Sequence, residues 1–264
     1  MRTLFVKFSI LLTIAACASS CFALDSILAT PTPVTVLQPP PPSPTIVWFP
    51  PSATPTLQVL STRAATPEMR PGLGDIFLTD KLSSSSPWDT ATSDEASAEI
   101  DDNRLNVAAQ SGVYMVSLRQ DLVANNFYAE ITARPGLCRG SDTYGFLVRA
   151  NAVAYYRFSL SCNGTVSAER VSGQKRQILQ AAVPSGDAPP GAPGEVRIGV
   201  WAVGTEMRLF LNGRYQFSVT DANYASGTVG VFVNAAGNTA AMVSFSDLSV
   251  QEVTHLPAAP TPEP

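Results

Sequence analysis

Between residues 75 and 254 apolar and polar side chains alternate in short runs broken by turn residues, and no stretch holds a helical period. Along Asn126 to Arg134, Phe127, Ala129, Ile131 and Ala133 are set against Tyr128, Glu130, Thr132 and Arg134. Along Glu195 to Val203, Val196, Ile198, Val200 and Ala202 are set against Arg197, Gly199 and Trp201. A period of two gives each strand one face toward a core and one toward solvent or a groove. In Gly145–Arg149 and Tyr155–Ser159 both alternants are partly apolar, so the period does not say which face is inward. Asn163-Gly164 and Asn212-Gly213 stand between such runs and predict hairpins with type I′ turns, which need positive φ at both central residues. About a dozen strands at this spacing predict an all-β fold: a two-sheet antiparallel jelly-roll sandwich.

The rest of the chain is organised differently. Residues 1–23 carry cations at Arg2 and Lys7, an apolar run from Phe8 to Ala16, and then small residues, the parts of an export signal. The run is too short for a membrane-spanning helix. Ile14-Ala15-Ala16-Cys17 resembles a bacterial lipobox, which implies lipidation of Cys17 and a membrane anchor in the cell envelope. Cleavage after Ala23 is the alternative and predicts a secreted protein. Residues 24–74 form a proline-rich stretch, expected to be a disordered, extended stalk. Its roughly 45 most proline-rich residues reach on the order of 100 Å at about 3.1 Å per residue. Residues 255–264 repeat that composition as a tail.

Composition narrows the chemistry. The 264 residues are 45% hydrophobic and 14% charged with a net charge of −4, which argues against a disordered chain and against a nucleic-acid partner. His255 is the one histidine, so a histidine-based catalytic or metal site has almost nothing to be built from. No cofactor is implied. Cys17 and Cys21 belong to the export region; Cys138 and Cys162 remain as a pair, read in an exported chain as a disulfide, with a metal site the competing reading.

The order of short motifs carries a resemblance. Trp88-Asp89-Thr90 and a hairpin at Asn103-Arg104-Leu105 precede the Phe127, Tyr144–Arg149 and Tyr155–Phe158 runs. Met207–Arg214, Gly227–Phe232 and Val243–Val250 follow. In this order the chain resembles the concanavalin A-like lectin/glucanase jelly roll, with laminin-G-like modules and the 3-keto-disaccharide hydrolase-type domain as the nearest forms. The resemblance implies a curved sandwich of which one sheet, in many relatives, binds glycans.

The glucanase branch carries paired carboxylates on one strand. Here Glu99-Ile100-Asp101-Asp102-Asn103 begins that pattern and breaks off at a turn, so the two carboxyls about 5 Å apart that retaining hydrolysis needs are missing. Glu130 is the one carboxylate on a central strand facing away from the core, and the weak catalytic candidate. Asp247 reads as a turn acceptor, and a calcium site through Asp142 lacks a supporting acidic loop. Tyr128, Glu130, Arg149, Tyr155, Arg157, Arg197 and Trp201 are the candidate ligand-binding residues, since aromatic rings cover sugar C–H faces while arginines and carboxylates bond hydroxyls. Cross-strand pairing among the same side chains is the structural alternative. The expectation is a non-catalytic glycan- or envelope-polysaccharide-binding module. A glycoside-processing hydrolase and a protein-docking module are the other two readings.

Overall fold

Alternating side chains need two layers to bury one face each, and the described residues supply them as fifteen strands. The computed structural model describes residues 68–85 and 87–254; the export signal, Cys17, Cys21, most of the proline-rich stretch and the tail with His255 lie outside the described residues. In chain order the strands are β1 Leu73–Asp80, β2 Ala91–Thr92, β3 Ala96–Asp101, β4 Arg104–Ala109, β5 Tyr114–Leu118, β6 Phe127–Leu137, β7 Thr143–Ala150 and β8 Ala154–Ser161. They continue as β9 Thr165–Ser172, β10 Lys175–Pro184, β11 Val196–Val203, β12 Glu206–Leu211, β13 Arg214–Thr220, β14 Thr228–Asn234 and β15 Ala241–Val253. No helix occurs among the described residues. The first strand opens at Leu73, two residues ahead of the expected start at 75.

Every pairing between these strands is antiparallel. One sheet has nine strands in the order β13-β12-β11-β6-β15-β4-β3-β2, with β1 paired to β15; the other has six, β10-β9-β8-β7-β14-β5. Between them lies one apolar core. The nine-stranded sheet contributes Phe127, Ile131, Val196, Ile198, Val200, Phe245 and Val250, and the six-stranded sheet contributes Tyr144, Phe146, Tyr156, Phe158, Leu160 and Val231. Each such buried aliphatic or aromatic side chain contributes about 1.5–3 kcal/mol relative to exposure. The architecture is the expected all-β jelly-roll sandwich.

Local chemistry closes the strands. Asn212 and Gly213 both have positive φ, 52° and 77°, and Leu211 pairs with Arg214 across them, the predicted type I′ turn. At Asn163-Gly164 the predicted hairpin forms, β8 pairing with β9, but the turn is not type I′: only Gly164 has positive φ, 81°. Cys162 joins the loop, because the Ser161 hydroxyl sits within 2.6 Å of Thr165 Oγ1 and accepts the Thr165 N–H. Asp80 accepts hydrogen bonds from Trp88 Nε1 at 2.9 Å and Leu82 N at 2.7 Å, and pairs with Arg119, fixing the Trp88 entry to β1. The Cys138–Cys162 disulfide, Cα–Cα 5.5 Å, joins the segment after β6 to the β8–β9 turn.

Candidate functional site

Because Phe127, Ala129 and Ile131 point into the core, Tyr128, Glu130 and Thr132 of β6 point out of the nine-stranded sheet. Pairing carries this face across the sheet: Tyr128 is opposite Trp201 and Trp201 opposite Arg208, while Glu130 is opposite Gly199 and Gly199 opposite Phe210. Phe210 is in turn opposite Tyr215. The missing side chain at Gly199 lets Tyr128 lean over it, so Tyr128 Oη donates to Glu130 Oε2 at 2.7 Å. Arg197 Nη1 reaches the other oxygen, Glu130 Oε1, at 3.3 Å. Ring centroids then run from Tyr128 to Phe210 at 6.0 Å and from Phe210 to Tyr215 at 5.9 Å, a strip of three rings spanning the four strands from β6 to β13.

The segment ahead of β1 lies on this strip. Trp201 Nε1 donates to Pro71 O at 3.1 Å and Arg208 Nη1 to Met69 O at 2.8 Å. Arg70 places its guanidinium carbon 5.4 Å from the ring centres of both Tyr128 and Phe210. Burial works against the Arg70 charge, and its contacts with Tyr128 and Glu68 outweigh that and strengthen it. Tyr128 is held above the ordinary phenol range by burial first and the Glu130 carboxylate second, so it stays the donor. Beside the β12–β13 turn, Glu68, Met69, Arg70, Phe210, Gly213, Arg214 and Tyr215 line an open cleft of about 570 Å³. Tyr215 is 39% exposed. Its ring offers a flat apolar surface, Arg70 and Arg214 offer the guanidinium N–H groups not engaged by Glu68 and Asp187, and Glu68, whose Oε1 accepts from Arg70, offers its other oxygen as an acceptor.

The seven sequence-derived residues do not converge. Tyr128, Glu130, Arg197 and Trp201 share the outer face of the nine-stranded sheet, but Trp201 is fully buried beneath the 69–71 segment, with Arg208 4.6 Å from its ring, and presents no face to a ligand. Tyr155 and Arg157 lie on the outer face of the six-stranded sheet, on the far side of the core. There Tyr155 Oη meets Tyr114 Oη at 3.2 Å, and Arg157 pairs with Glu169 over the rings of Tyr114 and Phe232. Arg149 belongs to neither face. Its backbone is in the left-handed region, φ 48°, and its buried guanidinium donates to the carbonyls of Gly204, Tyr224 and Asn125.

The two other carboxylates singled out from the sequence, Asp142 and Asp247, have structural occupations. Asp142 is buried and accepts Gly237 N at 2.9 Å and Arg139 N at 3.1 Å. Asp247, φ 56°, is not a turn residue ahead of the last strand but part of a bulge within β15, accepting the Ser246 hydroxyl at 2.6 Å. The cleft residues Arg70, Phe210, Arg214 and Tyr215 were not among the sequence candidates. Alternation along β12 was the available signal for Phe210; nothing in the proline-rich run signalled Arg70.

No protein-family model matches the chain, and no curated protein matches it in sequence. Among solved structures it is similar to the carbohydrate binding module CBM66 from Bacillus subtilis, with TM-score 0.51 and 14% identity over 63% of this chain and 96% of that one. It is also similar to a Bacillus subtilis protein of unknown function with a galectin-like fold, TM-score 0.51 and 12% identity over 69% and 99% of the two chains. A third is the GlcNAcα1-4Gal-releasing endo-β-galactosidase from Clostridium perfringens, TM-score 0.50 and 10% identity over 72% and 65%. At these identities the likeness is one of fold, a galectin-like, concanavalin A-like jelly roll.

Proposed function

We propose that this jelly roll is a saccharide-binding module and that the cleft between Arg70 and Tyr215 is where the sugar sits. The carrying observation is the composition of that cleft: an exposed tyrosine ring flanked by two arginines and a glutamate, at the end of a ring strip anchored by Glu130 and Arg197. Its similarity in fold to a carbohydrate-binding module and to an endo-β-galactosidase supports a glycan ligand. Binding is favoured over hydrolysis because the positions paired with Glu130 are Gly199 and Ser249, which place no second carboxylate at its flanks. With the Cys17 motif and the proline-rich stretch, the reading is of a lipid-anchored module holding envelope polysaccharide away from the membrane.

The test is a pull-down of the full chain on insoluble cell-envelope polysaccharide. Tyr215→Ala and Arg70→Ala are expected to weaken retention about tenfold, the effect of roughly 1.4 kcal/mol of lost binding, while thermal unfolding stays close to the parent for Tyr215→Ala. Retention unchanged in both variants overturns the site. Release of reducing ends that disappears in Glu130→Gln overturns the binding-only reading in favour of hydrolysis. Mass spectrometry of the mature N-terminus tests lipid on Cys17.

A further inference from the structure

A second groove, of about 460 Å³, lies at the β9–β10 hairpin and is lined by Arg170, Ser172, Lys175, Arg176, Gln177, Asn223 and Tyr224. Its wall is built rather than incidental. Arg170 Nη1 donates to Asp221 Oδ2 at 2.5 Å, and its other terminal nitrogen donates to Gln177 Oε1. Asp221 is itself fixed, accepting Tyr156 Oη at 2.7 Å, Asn223 N at 2.9 Å and Asn223 Nδ2 at 2.7 Å. On the other side Tyr224 Oη donates to Val171 O at 3.0 Å, with its ring centre 5.1 Å from that of Tyr156. The guanidinium therefore faces the groove already oriented, and ordering it costs a ligand little.

The charge around it is unbalanced. Asp221 compensates Arg170, but Lys175 and Arg176, both exposed, form no ion pair among the described residues. The groove thus holds two uncompensated cations in a chain whose net charge is −4. An edge strand often carries such charges to discourage pairing with another chain, and β10 is an edge of its sheet. That role does not call for an arginine held by two side chains, Asp221 and Gln177, nor for the Asn223–Tyr224 wall.

We infer that this groove binds an oxyanion-bearing saccharide, the carboxylate or sulfate ester of an acidic polysaccharide bonding Arg170 and drawn in by Lys175 and Arg176. Ser172, Gln177 and Asn223 supply uncharged hydrogen-bonding groups for the neighbouring hydroxyls. The site is distinct from the Tyr215 cleft: Tyr215 and Asp221 lie near opposite ends of the β13 course, six residues and about 20 Å apart at about 3.3 Å per residue. It does not depend on that cleft and survives if the cleft binds nothing.

Affinity electrophoresis of the full chain in gels containing dextran sulfate or neutral dextran tests it. Retardation is expected with dextran sulfate and not with dextran. The double variant Lys175→Glu/Arg176→Glu should weaken apparent affinity at least tenfold, and so should Arg170→Gln. Arg104→Glu/Arg139→Glu, which makes the same charge change at two exposed positions elsewhere, should leave it nearly unchanged. No retardation of the parent, parental retardation of the Lys175/Arg176 variant, or an equal loss in the Arg104/Arg139 variant overturns the inference. The last would mean that diffuse charge, not the groove, holds the polymer.

Discussion

Tyr128 rests on Gly199 so closely that a β-carbon at residue 199 would stand 2.3 Å from the tyrosine hydroxyl oxygen. This contact sets the geometry of the outer face, since the hydroxyl that passes over Gly199 is the one that holds Glu130. Gly199→Ala is expected to displace the ring and cost about 1–3 kcal/mol, the usual range for a side chain forced into a packed site. Tyr128→Phe keeps the ring in place and removes only the hydrogen bond, about 1 kcal/mol. Urea unfolding of the two variants checks the order. A Gly199→Ala protein as stable as Tyr128→Phe would mean that Tyr128 has somewhere else to go.

The strands with one clearly apolar alternant, β6 and β11, could be placed and faced from sequence because only one of their faces meets the core. β7 and β8 could not, since every residue of β8 is buried and Leu147, Tyr155 and Phe232 form a second apolar cluster on the outer face. Period two cannot sort inward from outward where both faces are apolar. Alternation also put Trp201 on the correct side but was blind to what covers it. Met69, Arg70 and Pro71 close a proline-rich run, whose composition suggests a spacer, and yet they pack on Trp201, Tyr128 and Phe210. Arg149 escaped for another reason: its left-handed backbone takes it out of the strand's alternation.

The disulfide gives a second test of how the fold is held. Cys138 and Cys162 are 24 residues apart, and in the chain-entropy model closing that loop stabilises the fold by around 3 kcal/mol. Cys138→Ala/Cys162→Ala is expected to lower the unfolding free energy by that order while leaving the fold recognisable by circular dichroism, because the core between the sheets does not depend on the bond. Addition of reductant to the parent should reproduce the loss. A double variant of parental stability would show that the β6–β7 segment is already constrained without the bond.

Arg149 is a buried cation whose partners are three backbone carbonyls, and burial lowers its pKa. The carbonyls of Asn125, Gly204 and Tyr224 belong to three different connections at one end of the sandwich, so one side chain ties them together. Arg149→Met removes all three donors at once. At about 1.5–3 kcal/mol for each hydrogen bond given by a charged group, a loss of at least about 3 kcal/mol is expected. Amide hydrogen exchange should quicken around residues 125, 204 and 224 before it does in the core strands. Uniform quickening throughout the domain would instead place Arg149 in the general stability of the core.

Asp221 is expected to shape the acid limit of stability. Burial acts to raise its pKa, but hydrogen bonds from the Tyr156 hydroxyl and from Asn223, together with the Arg170 charge, outweigh it and hold the carboxyl below its ordinary value. Tyr156, pushed up to about 12 by burial and by this same bond, remains a donor across the whole acid and neutral range. A carboxyl with a lower pKa in the folded state binds fewer protons there than in the unfolded chain, so it makes stability rise with pH. Its contribution is complete above the unfolded value near about 3.9 and is lost as pH falls through the folded value. Asp221→Asn should therefore flatten the slope of unfolding free energy below about pH 4 and lower stability at neutral pH. Tyr156→Phe, which removes one of the bonds that depress the pKa, should shift the acid limb to higher pH. A stability profile for Asp221→Asn parallel to that of the parent would mean that other carboxylates govern acid unfolding.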